Sequence, residues 1–212
     1  IIDDGSTDNS WEKIEKAKSN YSSDIITIRQ QHNFGKGNAI HKGITIASGD
    51  IVAIQDADLE LDPNELVKLI LPLIESDVDV VLGSRFHKSQ FQVHRTYHYL
   101  ANRFLTFLSN IFSNLYLSDM ETCYKVMNLD IMSNLDLKSK RFGFEPEIVA
   151  KIAKLNLRVM EIPIKYYARS KKHGKKIGWK DGIAAIWFII KYNILPLSNK
   201  AKNNLPNKYL FK

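Results

Sequence analysis

The chain has 212 residues, 44% hydrophobic and 25% charged, with a formal net charge of +7. This length and composition are those of a globular protein that can bury a core in one large domain, with or without a small appendage. Cys123 is the only cysteine, which excludes an internal disulfide framework and a cysteine-rich zinc site and fits a reducing compartment. No apolar run reaches the roughly 20 residues that span a bilayer. The positive charge favours an anionic partner such as a nucleotide, a nucleic acid or lipid headgroups.

The first residues resemble the interior of a strand, because Ile1 and Ile2 lead directly into Asp3 and Asp4. There is no initiator Met and no signal-peptide pattern, so we expect a fragment that lacks its natural N-terminus. Two adjacent carboxylates repel each other unless a cation or hydrogen-bond donors lie opposite. A solvated turn with a helix N-cap is the other interpretation of this segment.

Strand and helix patterns alternate along the first 85 residues. In order, the sequence predicts a strand at the start, a helix at 10–19, a strand at 25–29, a loop at 33–37, a helix at 38–47, a strand at 51–55, a helix from Pro63 to about Glu75 capped by Asp62, and a strand at 78–82. This alternation predicts an α/β fold with a doubly wound, mainly parallel sheet flanked by helices.

Acidic and polar residues follow the C-terminal ends of these strands, and open α/β sheets bind ligands at that edge. Asp56 and Asp58 stand at i and i+2 beyond a predicted strand, where both can turn toward one cation. Mg²⁺ and Mn²⁺ take oxygen ligands, commonly one or two carboxylates together with substrate phosphates. Such an ion would neutralise a diphosphate leaving group. Glu60 could join the ion directly or through water.

The second half begins with a long amphipathic helix pattern over residues 97–117, whose aromatic stripe we expect to lie partly in the core. DMET at 119–122 interrupts it, and FGFEPE at 142–147 leads into another helix. A strand is predicted at 158–167, a basic loop at 169–176 and a helix from about Trp179. The last dozen residues are polar and predict a frayed tail.

Four segments in order, IIDDGSTDNS, NFGKGNAIHKG, GDIVAIQDADLELDP and VLGSRF, resemble the family 2 inverting glycosyltransferases with the GT-A fold. The similarity is greatest to the dolichyl-phosphate mannosyltransferase-like branch, which glycosylates polyprenyl phosphates. DMETCYKV, GFEPEI, EIPIKYYAR and GKKIGWKDG extend the resemblance over roughly residues 1–190. The family's first strand and its nucleotide loop have no counterpart here. We therefore expect a catalytic domain at 1–178 without that strand, an interfacial amphipathic helix at 179–196 and a polar tail at 197–212.

The resemblance implies a donor site at the strand ends. The nucleotide-sugar residues that it implies are Asp3, Asp4, Lys36, Asp56, Ala57 and Arg85. The ligands that it implies for Mg²⁺ or Mn²⁺ are Asp56, Asp58 and Glu60. Glu60 stands where the mannosyl enzymes often have Gln, which adds negative charge beside the metal and leaves the identity of the sugar open.

The same resemblance implies an acceptor site. Arg85, Arg95 and Arg169 are the residues implied for an acceptor phosphate, because Arg can bind phosphate bidentately. The implied catalytic residues are Arg169 together with Asp119 and Glu121 of DMET. For a sugar hydroxyl acceptor, one of these carboxylates could be the general base of a single in-line displacement. A phosphate acceptor is already an anionic nucleophile, and the carboxylate would then only orient groups.

Five lysines in or just after the basic loop (171, 172, 175, 176 and 180) precede an apolar helix face. That face consists of Ile183, Ile186, Trp187, Ile190 and Ile194. Basic residues beside an apolar helix with Trp are typical of interfacial membrane binding. The same pattern also fits a helix packed on the domain with solvated charges, and a polyprenyl acceptor favours the membrane surface.

The sequence therefore predicts an enzyme, a hexosyltransferase that moves a sugar from a UDP- or GDP-sugar to a polyprenyl phosphate with inversion. We expect it peripherally at the cytoplasmic face of a membrane, or anchored there by segments outside the chain. The alternative acceptor is a saccharide hydroxyl in cell-surface polysaccharide synthesis. An alternative of another class is a Mg²⁺-binding receiver-type signalling domain, although receivers are shorter. We expect no nucleic-acid partner, because the aromatic residues follow helical stripes rather than stacking platforms.

Overall fold

The computed structural model describes residues 1–21, 24–86, 96–141, 143–168 and 179–209. Arg95, Arg169 and the basic loop at 169–176, all predicted to face phosphate or membrane, lie outside the described residues.

Strands and helices alternate within these ranges. The strands are β1 (Ile2–Asp3), β2 (Ile28–Arg29), β3 (Ile51–Ala53), β4 (Val80–Ser84), β5 (Lys125–Asn128) and β6 (Val159–Pro163). The α-helices are α1 (Ser10–Tyr21), α2 (Lys36–Ile46), α3 (Leu66–Glu75), α4 (Thr96–Ser113), α5 (Leu129–Asn134), α6 (Phe144–Lys154), α7 (Trp179–Ile194) and α8 (Asn199–Asn203). Short 3-10 helices lie at Pro63–Glu65 and Asn207–Tyr209.

The main sheet has the strand order β3-β5-β4-β6, and β1 pairs with β2 in a separate parallel ribbon. Strand β4 runs parallel to β6, whereas β5 runs antiparallel to both β3 and β4. The predicted α/β architecture is confirmed, and the expected parallel pairing holds for β1–β2 and β4–β6 but not for the two pairings of β5. The sequence does not predict β5, because its four residues carry no alternation that distinguishes a strand from a buried helical turn.

Local sequence explains where several elements begin and end. Asp62 accepts a hydrogen bond from the backbone N–H of Asn64 at 3.0 Å, so the predicted cap opens the 3-10 turn that precedes α3. Helix α4 ends at Ser113, earlier than predicted, because Asn114 adopts a left-handed conformation with φ 56°.

The core lies where β4 and β5 meet the inner faces of helices α3, α5 and α6. Its most buried apolar side chains include Leu69, Val80, Val81, Val126, Met127, Ile131 and Ile148. The C-terminal segment packs on this core as well, since Ala201, Leu205 and Tyr209 are buried. Over the described residues 197–209, this packing replaces the frayed tail that composition suggested.

Helix α7 is attached to the domain body. Lys154 of α6 donates a hydrogen bond to the backbone oxygen of Tyr192 at 2.8 Å, and the Tyr192 hydroxyl lies 2.8 Å from the Ser139 hydroxyl. Ala185, Ile189 and Tyr192 are buried on the same side of the helix. The helix therefore forms part of the domain, and its opposite face stays exposed.

Candidate functional site

The antiparallel direction of β5 brings distant parts of the chain to one edge of the sheet. Ala53 at the end of β3 pairs with Val126, and Leu82 near the end of β4 pairs with Lys125. The start of β5 therefore lies beside the ends of β3 and β4. DMET, which precedes β5, is thereby carried to the edge where Asp56 and Arg85 emerge.

Asp4 organises the NFGKG loop. Its Oδ1 accepts hydrogen bonds from Gln30 Nε2 at 2.7 Å and from the Phe34 N–H at 2.9 Å, and its Oδ2 accepts from the Gly35 N–H at 2.7 Å. These donors offset the repulsion from Asp3. The carboxylate of Asp4 therefore holds the loop against β1, and its predicted contact with the nucleoside stays a prediction.

Asp3 is buried with 4% of its surface exposed. Its Oδ1 accepts from the Ser6 hydroxyl at 2.5 Å, and its Oδ2 lies 3.5 Å from Arg29 Nε. The chain beyond Asp4 borders an open hollow of about 580 Å³ that is lined by Gly5, Ser6, Thr7, Arg29, Gln30 and Gln31. That volume lies within the range of small-molecule sites. Asp3 contacts two of the lining residues, Ser6 and Arg29, and so helps to position the wall of the hollow.

The two glycines around Lys36 allow a close approach between the loop and residues 139–140. Gly35 has φ 99°, and a Cβ at Gly35 or Gly37 would overlap the backbone oxygens of Lys140 or Ser139. The Asn38 N–H donates to the Lys140 oxygen at 3.0 Å. Glycine is therefore required on both sides of Lys36.

Lys36 forms two ion pairs at the strand ends. Its Nζ lies 2.9 Å from Asp56 Oδ2 and 2.8 Å from Glu145 Oε1, with 21% of its side chain exposed. Burial alone would lower the pKa of Lys36, but the negative charges of Glu145 and Asp56 raise this pKa well above its usual value. Lys36 therefore remains a cation beside the first carboxylate of the predicted metal pair.

The three predicted metal ligands do not converge. Leu59 has φ 60°, so the chain turns sharply between Asp58 and Glu60. Asp58 Oδ1 accepts from the Glu60 N–H at 3.1 Å, and Glu60 Oε2 accepts from the Tyr166 hydroxyl at 3.0 Å. Within the described ranges, no group of three or more His, Cys, Asp or Glu side chains could hold a metal ion. Glu60 as a direct ligand stays a prediction, and in this structure its carboxylate is turned toward Tyr166.

Asp56 and Asp58 still fit a divalent ion as a partial site. Magnesium is commonly bound by one or two carboxylates together with substrate phosphates, so two Asp side chains suffice when a diphosphate supplies the rest. Asp56 is only partly buried, with 33% of its side chain exposed, and it already pairs with the ammonium group of Lys36. The chemistry of the site therefore suits a cation.

Arg85 and Asp119 form a buried bidentate ion pair. Arg85 Nε and Nη2 donate to the two carboxylate oxygens of Asp119 at 2.7 Å each, and the Arg85 N–H donates to Oδ2 at 3.0 Å. Burial opposes the charge on Arg85, but Asp119 raises the pKa of the guanidinium. Asp119 was predicted as a possible general base. Both of its oxygens accept hydrogen bonds from Arg85, and this geometry favours the other role that the sequence left open, in which the carboxylate only orients groups.

Aromatic rings connect Arg85 to helix α4. The guanidinium carbon lies 5.3 Å from the ring centroids of both Phe86 and Tyr166. Phe86 in turn meets Tyr99 of α4 edge-on, with ring centroids 5.4 Å apart. Arg85 Nη1 makes no hydrogen bond to Asp119, so the guanidinium can still donate hydrogen bonds from Nη1 to an anion beside α4.

The second carboxyl group of DMET belongs to Glu121, whose pKa is strongly shifted. Burial first, and then the negative charge of the nearby Glu145, raise the pKa of Glu121 to about 7. Its Oε1 is buried without a hydrogen-bond partner among the described residues. Of the two predicted acids, Glu121 is therefore the one with properties of a general base.

Sequence reasoning missed Lys125 and Glu145. Lys125 is fully buried; burial lowers its pKa, and its Nζ donates to the backbone oxygen of Thr122. A lysine between Tyr124 and Val126 in an apolar strand was the available signal. For Glu145 the signal was its place in GFEPEI, at the first turn of α6. Both residues belong to the charged network around Lys36 and Glu121.

The apolar residues of α4 lie partly in the core, as sequence periodicity predicted, because Leu105 is buried and Leu108 packs against the core, but other large apolar side chains of this helix are exposed. We use the name apolar stripe for Tyr97, Leu100, Phe104, Phe107 and Ile111, which are 55–88% exposed. The buried face of α4 instead contains Leu105, Thr106 and Ser109. On the neighbouring α7, Ile183, Trp187 and Ile194 are exposed, whereas Ile186 and Ile190 are half-buried. No helix in the described part of the chain has the length and hydropathy needed to cross a membrane.

Residues 1–135 match the family model described as Glycosyl transferase family 2. The chain is 36% identical over 88 residues to the dolichol-phosphate mannosyltransferase of Pyrococcus furiosus, which covers 42% of the chain and 24% of that protein. It is 26% identical over 191 residues to the dodecaprenyl-phosphate galacturonate synthase of Rhizobium johnstonii, which covers 90% of the chain and 54% of that protein. The chain thus spans about a quarter to about half the length of these relatives.

Among solved structures, this chain superposes on the glucosyl-3-phosphoglycerate synthase of Mycobacterium tuberculosis with a TM-score of 0.68 at 15% identity. That synthase was solved in complex with Mn²⁺, UDP and glucosyl-3-phosphoglycerate. The alignment covers 93% of this chain and 69% of that one. At this identity the likeness shows the fold alone, which is the expected GT-A fold. The family match overturns the alternative of a receiver-type signalling domain.

Proposed function

Because the chain belongs to glycosyl transferase family 2, we propose that it transfers a sugar from a nucleotide-diphosphate sugar to a polyprenyl phosphate with inversion. Support comes from the similar proteins of Pyrococcus and Rhizobium, whose names describe transfer to dolichol phosphate and dodecaprenyl phosphate. The UDP and Mn²⁺ in the similar solved structure support a nucleotide donor and a divalent ion.

The observation that carries the choice of acceptor is the position of the apolar stripe relative to Arg85. Phe86 and Tyr99 link the guanidinium to the first turns of α4, where the stripe begins. A lipid phosphate has an anionic head and an apolar chain, and this surface offers a cation followed by exposed apolar side chains. In this arrangement the acceptor phosphate lies at Arg85 and the isoprenoid chain runs along the stripe. Arg95 and Arg169 remain predictions for the same phosphate.

At the donor end, the hollow beside Asp3 takes the nucleoside, and Asp56 and Asp58 hold Mg²⁺ or Mn²⁺ against the diphosphate. A divalent ion held there would neutralise negative charge on the leaving nucleoside diphosphate. Ala57 lies between the two ligands and offers backbone groups to the donor. Asp4 keeps the NFGKG loop in place and so holds Lys36 within reach of Asp56 and Glu145.

The transfer is a single displacement at the anomeric carbon. An oxygen of the acceptor phosphate forms the new bond as the bond to the diphosphate breaks, and the configuration inverts. The acceptor phosphate is already an anion, so no base has to remove a proton. Asp119 fixes the orientation of Arg85, and Arg85 orients the attacking phosphate.

Glu121 favours a second candidate function, transfer to a saccharide hydroxyl in polysaccharide synthesis. A carboxyl with a pKa of about 7 and an unpartnered oxygen matches the requirements of a general base near neutral pH. In that reaction Glu121 would take the proton of the attacking hydroxyl. For a lipid phosphate, Glu121 would only shape the pocket.

A membrane surface is the partner that fits the exposed faces of α4 and α7. Apolar side chains that include Trp187 lie on the outside of a chain with a net charge of +7, which suits anionic lipids. We therefore place the protein peripherally on the cytoplasmic face of a membrane, with α7 as part of the domain rather than as a separate anchor.

The transfer reaction can be tested with labelled UDP- and GDP-sugars, Mn²⁺ and either polyprenyl phosphate or soluble saccharides. We expect metal-dependent label in the organic phase with the lipid acceptor. Label that moves only onto saccharides would replace the lipid acceptor by the second candidate. No transfer from any donor, with no metal-dependent nucleotide binding, would contradict both.

A further inference from the structure

Lys36 holds two carboxylates that belong to different parts of the site. Asp56 follows β3 and is a proposed metal ligand, whereas Glu145 is on the first turn of α6 and its side chain is only 5% exposed. Both contacts are short, at 2.9 Å and 2.8 Å. The second oxygen of Glu145, Oε2, is buried without a hydrogen-bond partner among the described residues. Glu145 can therefore accept a second hydrogen bond from the ammonium group of Lys36.

A divalent ion at Asp56 would alter this arrangement. The ion and the ammonium group would compete for one carboxylate, and their like charges would repel each other. Lysine ends in a compact charge on a flexible four-carbon stem, so its ammonium can shift between neighbouring acceptors at little cost. Glu145 is the acceptor to which it can shift without losing an ionic partner.

We infer that Lys36 is a resident counter-ion of the metal site, which neutralises Asp56 without metal and moves fully onto Glu145 when a divalent ion binds Asp56. This inference rests on the proposed function, because it takes Asp56 as a metal ligand. Glu145 is then a positioning residue, which promotes metal binding by drawing Lys36 away from Asp56.

The competing explanation is a static ion pair that only ties α2 to α6. A static pair on the same helix provides the comparison. Glu147 Oε1 lies 2.7 Å from Lys151 Nζ, and its two oxygens also accept from the Lys138 and Ser139 N–H groups at 2.7 Å each. Glu147 has no unused oxygen, whereas Glu145 has one. This difference favours a mobile role for the Lys36 contact.

The test is a titration with Mn²⁺, in which the spin-resonance signal of the free ion is measured with excess UDP and, separately, with excess GDP. Lys36→Met should increase the Mn²⁺ affinity about fivefold, because the competing cation is gone. Glu145→Gln should decrease it about fivefold, because Lys36 then pairs with Asp56 alone. In the Lys36→Met background, Glu145→Gln should change the affinity by less than about twofold, since it acts through Lys36.

Glu147→Gln is the matched control, with an expected loss of thermal stability and an unchanged Mn²⁺ affinity. If Lys36→Met does not fold, Lys36→Gln keeps hydrogen bonds to both carboxylates without the charge and should give the same increase. Equal Mn²⁺ affinities in all folded variants, or additive effects in the double variant, would overturn the counter-ion role of Lys36 but not the proposed function. Absence of Mn²⁺ binding to the unsubstituted protein with either nucleotide would overturn the metal-assisted function as well.

Discussion

The strand-end site and the apolar stripe are built in opposite ways. At the strand ends, charged side chains are buried and paired, as Lys36 is with Asp56 and Glu145 and as Arg85 is with Asp119. On α4, large apolar side chains such as Phe104 and Phe107 are more than half exposed. Buried charge is costly to desolvate, and exposed apolar surface forgoes hydrophobic stabilisation. Each region gives up stability in a different way, and the two together fit the proposed substrates, an anionic donor and an acceptor with a charged head and an apolar chain.

A third region, at the opposite end of β4, contains an ion pair that lies away from the proposed site. Arg158 Nε and Nη2 donate to Asp79 at 3.0 Å and 2.8 Å, with the same bidentate geometry as Arg85 and Asp119. Asp79 precedes β4, whereas Arg85 follows it. The two pairs therefore provide matched controls for one another.

The largest effect is expected at the metal pair. Asp58→Ala should reduce transfer by roughly a thousandfold or more, because the leaving diphosphate loses the ion that neutralises it. Asp58 is only partly buried, so the midpoint of thermal unfolding should change little. Steady-state transfer and calorimetry measure the two quantities. A large loss of stability with metal-dependent donor binding intact would remove Asp58 from the site.

The next effect concerns the bidentate pair at the acceptor side. Arg85→Lys keeps the charge but loses the two parallel hydrogen bonds to Asp119, and it should lower kcat/KM about a hundredfold. Arg158→Lys, the matched control, should lower the free energy of unfolding and leave kcat/KM unchanged. Similar kcat/KM values for the two variants would mean that Arg85 has no special role in transfer.

A smaller effect is expected on the apolar stripe. The double variant Phe104→Ser/Phe107→Ser should weaken binding to anionic phospholipid vesicles about tenfold, because it removes two exposed rings. Stability should change little, since both rings are largely outside the core. Vesicle co-sedimentation measures the binding. Val67→Ser/Ile74→Ser on α3, also exposed and apolar, is the control and should bind vesicles like the unsubstituted protein. Equal binding by both double variants would exclude the stripe as the membrane contact.

The smallest effect is the pH dependence that Glu121 imposes on stability. Its pKa is raised from 4.5 to about 7, so the folded state binds a proton more tightly than the unfolded state. The contribution of Glu121 to the free energy of unfolding is therefore full below about pH 4.5 and is lost as the pH rises to about 7. Urea unfolding should show this decrease in the unsubstituted protein relative to Glu121→Gln. Parallel pH profiles of the two proteins would mean that Glu121 has an ordinary pKa.

Sequence periodicity predicted most elements of the first 85 residues, because apolar spacing and caps such as Asp62 are local signals. It did not predict β5, whose pairing with β3 and β4 joins residues far apart in the chain. It correctly placed α4 partly in the core, through Leu105 and Leu108, but it did not show which apolar side chains stay exposed, because periodicity identifies an apolar face but not what covers that face.

The sequence predicted which residues belong to the site, but it did not predict which of them contact one another. Motifs identified Asp56, Arg85 and Asp119, yet their ion pairs depend on the antiparallel strand that sequence patterns missed. Glu60 was predicted as a ligand from its spacing, and the left-handed turn at Leu59 redirects it to Tyr166. Glu145 is 109 positions from Lys36 in the numbering, so only the fold reveals their contact.

The most direct measurement of the central claim is the rate of transfer by Glu121→Gln to polyprenyl phosphate, compared with the unsubstituted protein. A lipid phosphate needs no general base, so the account predicts that the variant keeps its rate within about tenfold. A loss of more than about a thousandfold, with the variant folded and still binding the nucleotide, would contradict it. Glu121 would then take a direct part in the transfer, which the account does not allow for an acceptor that is already an anion.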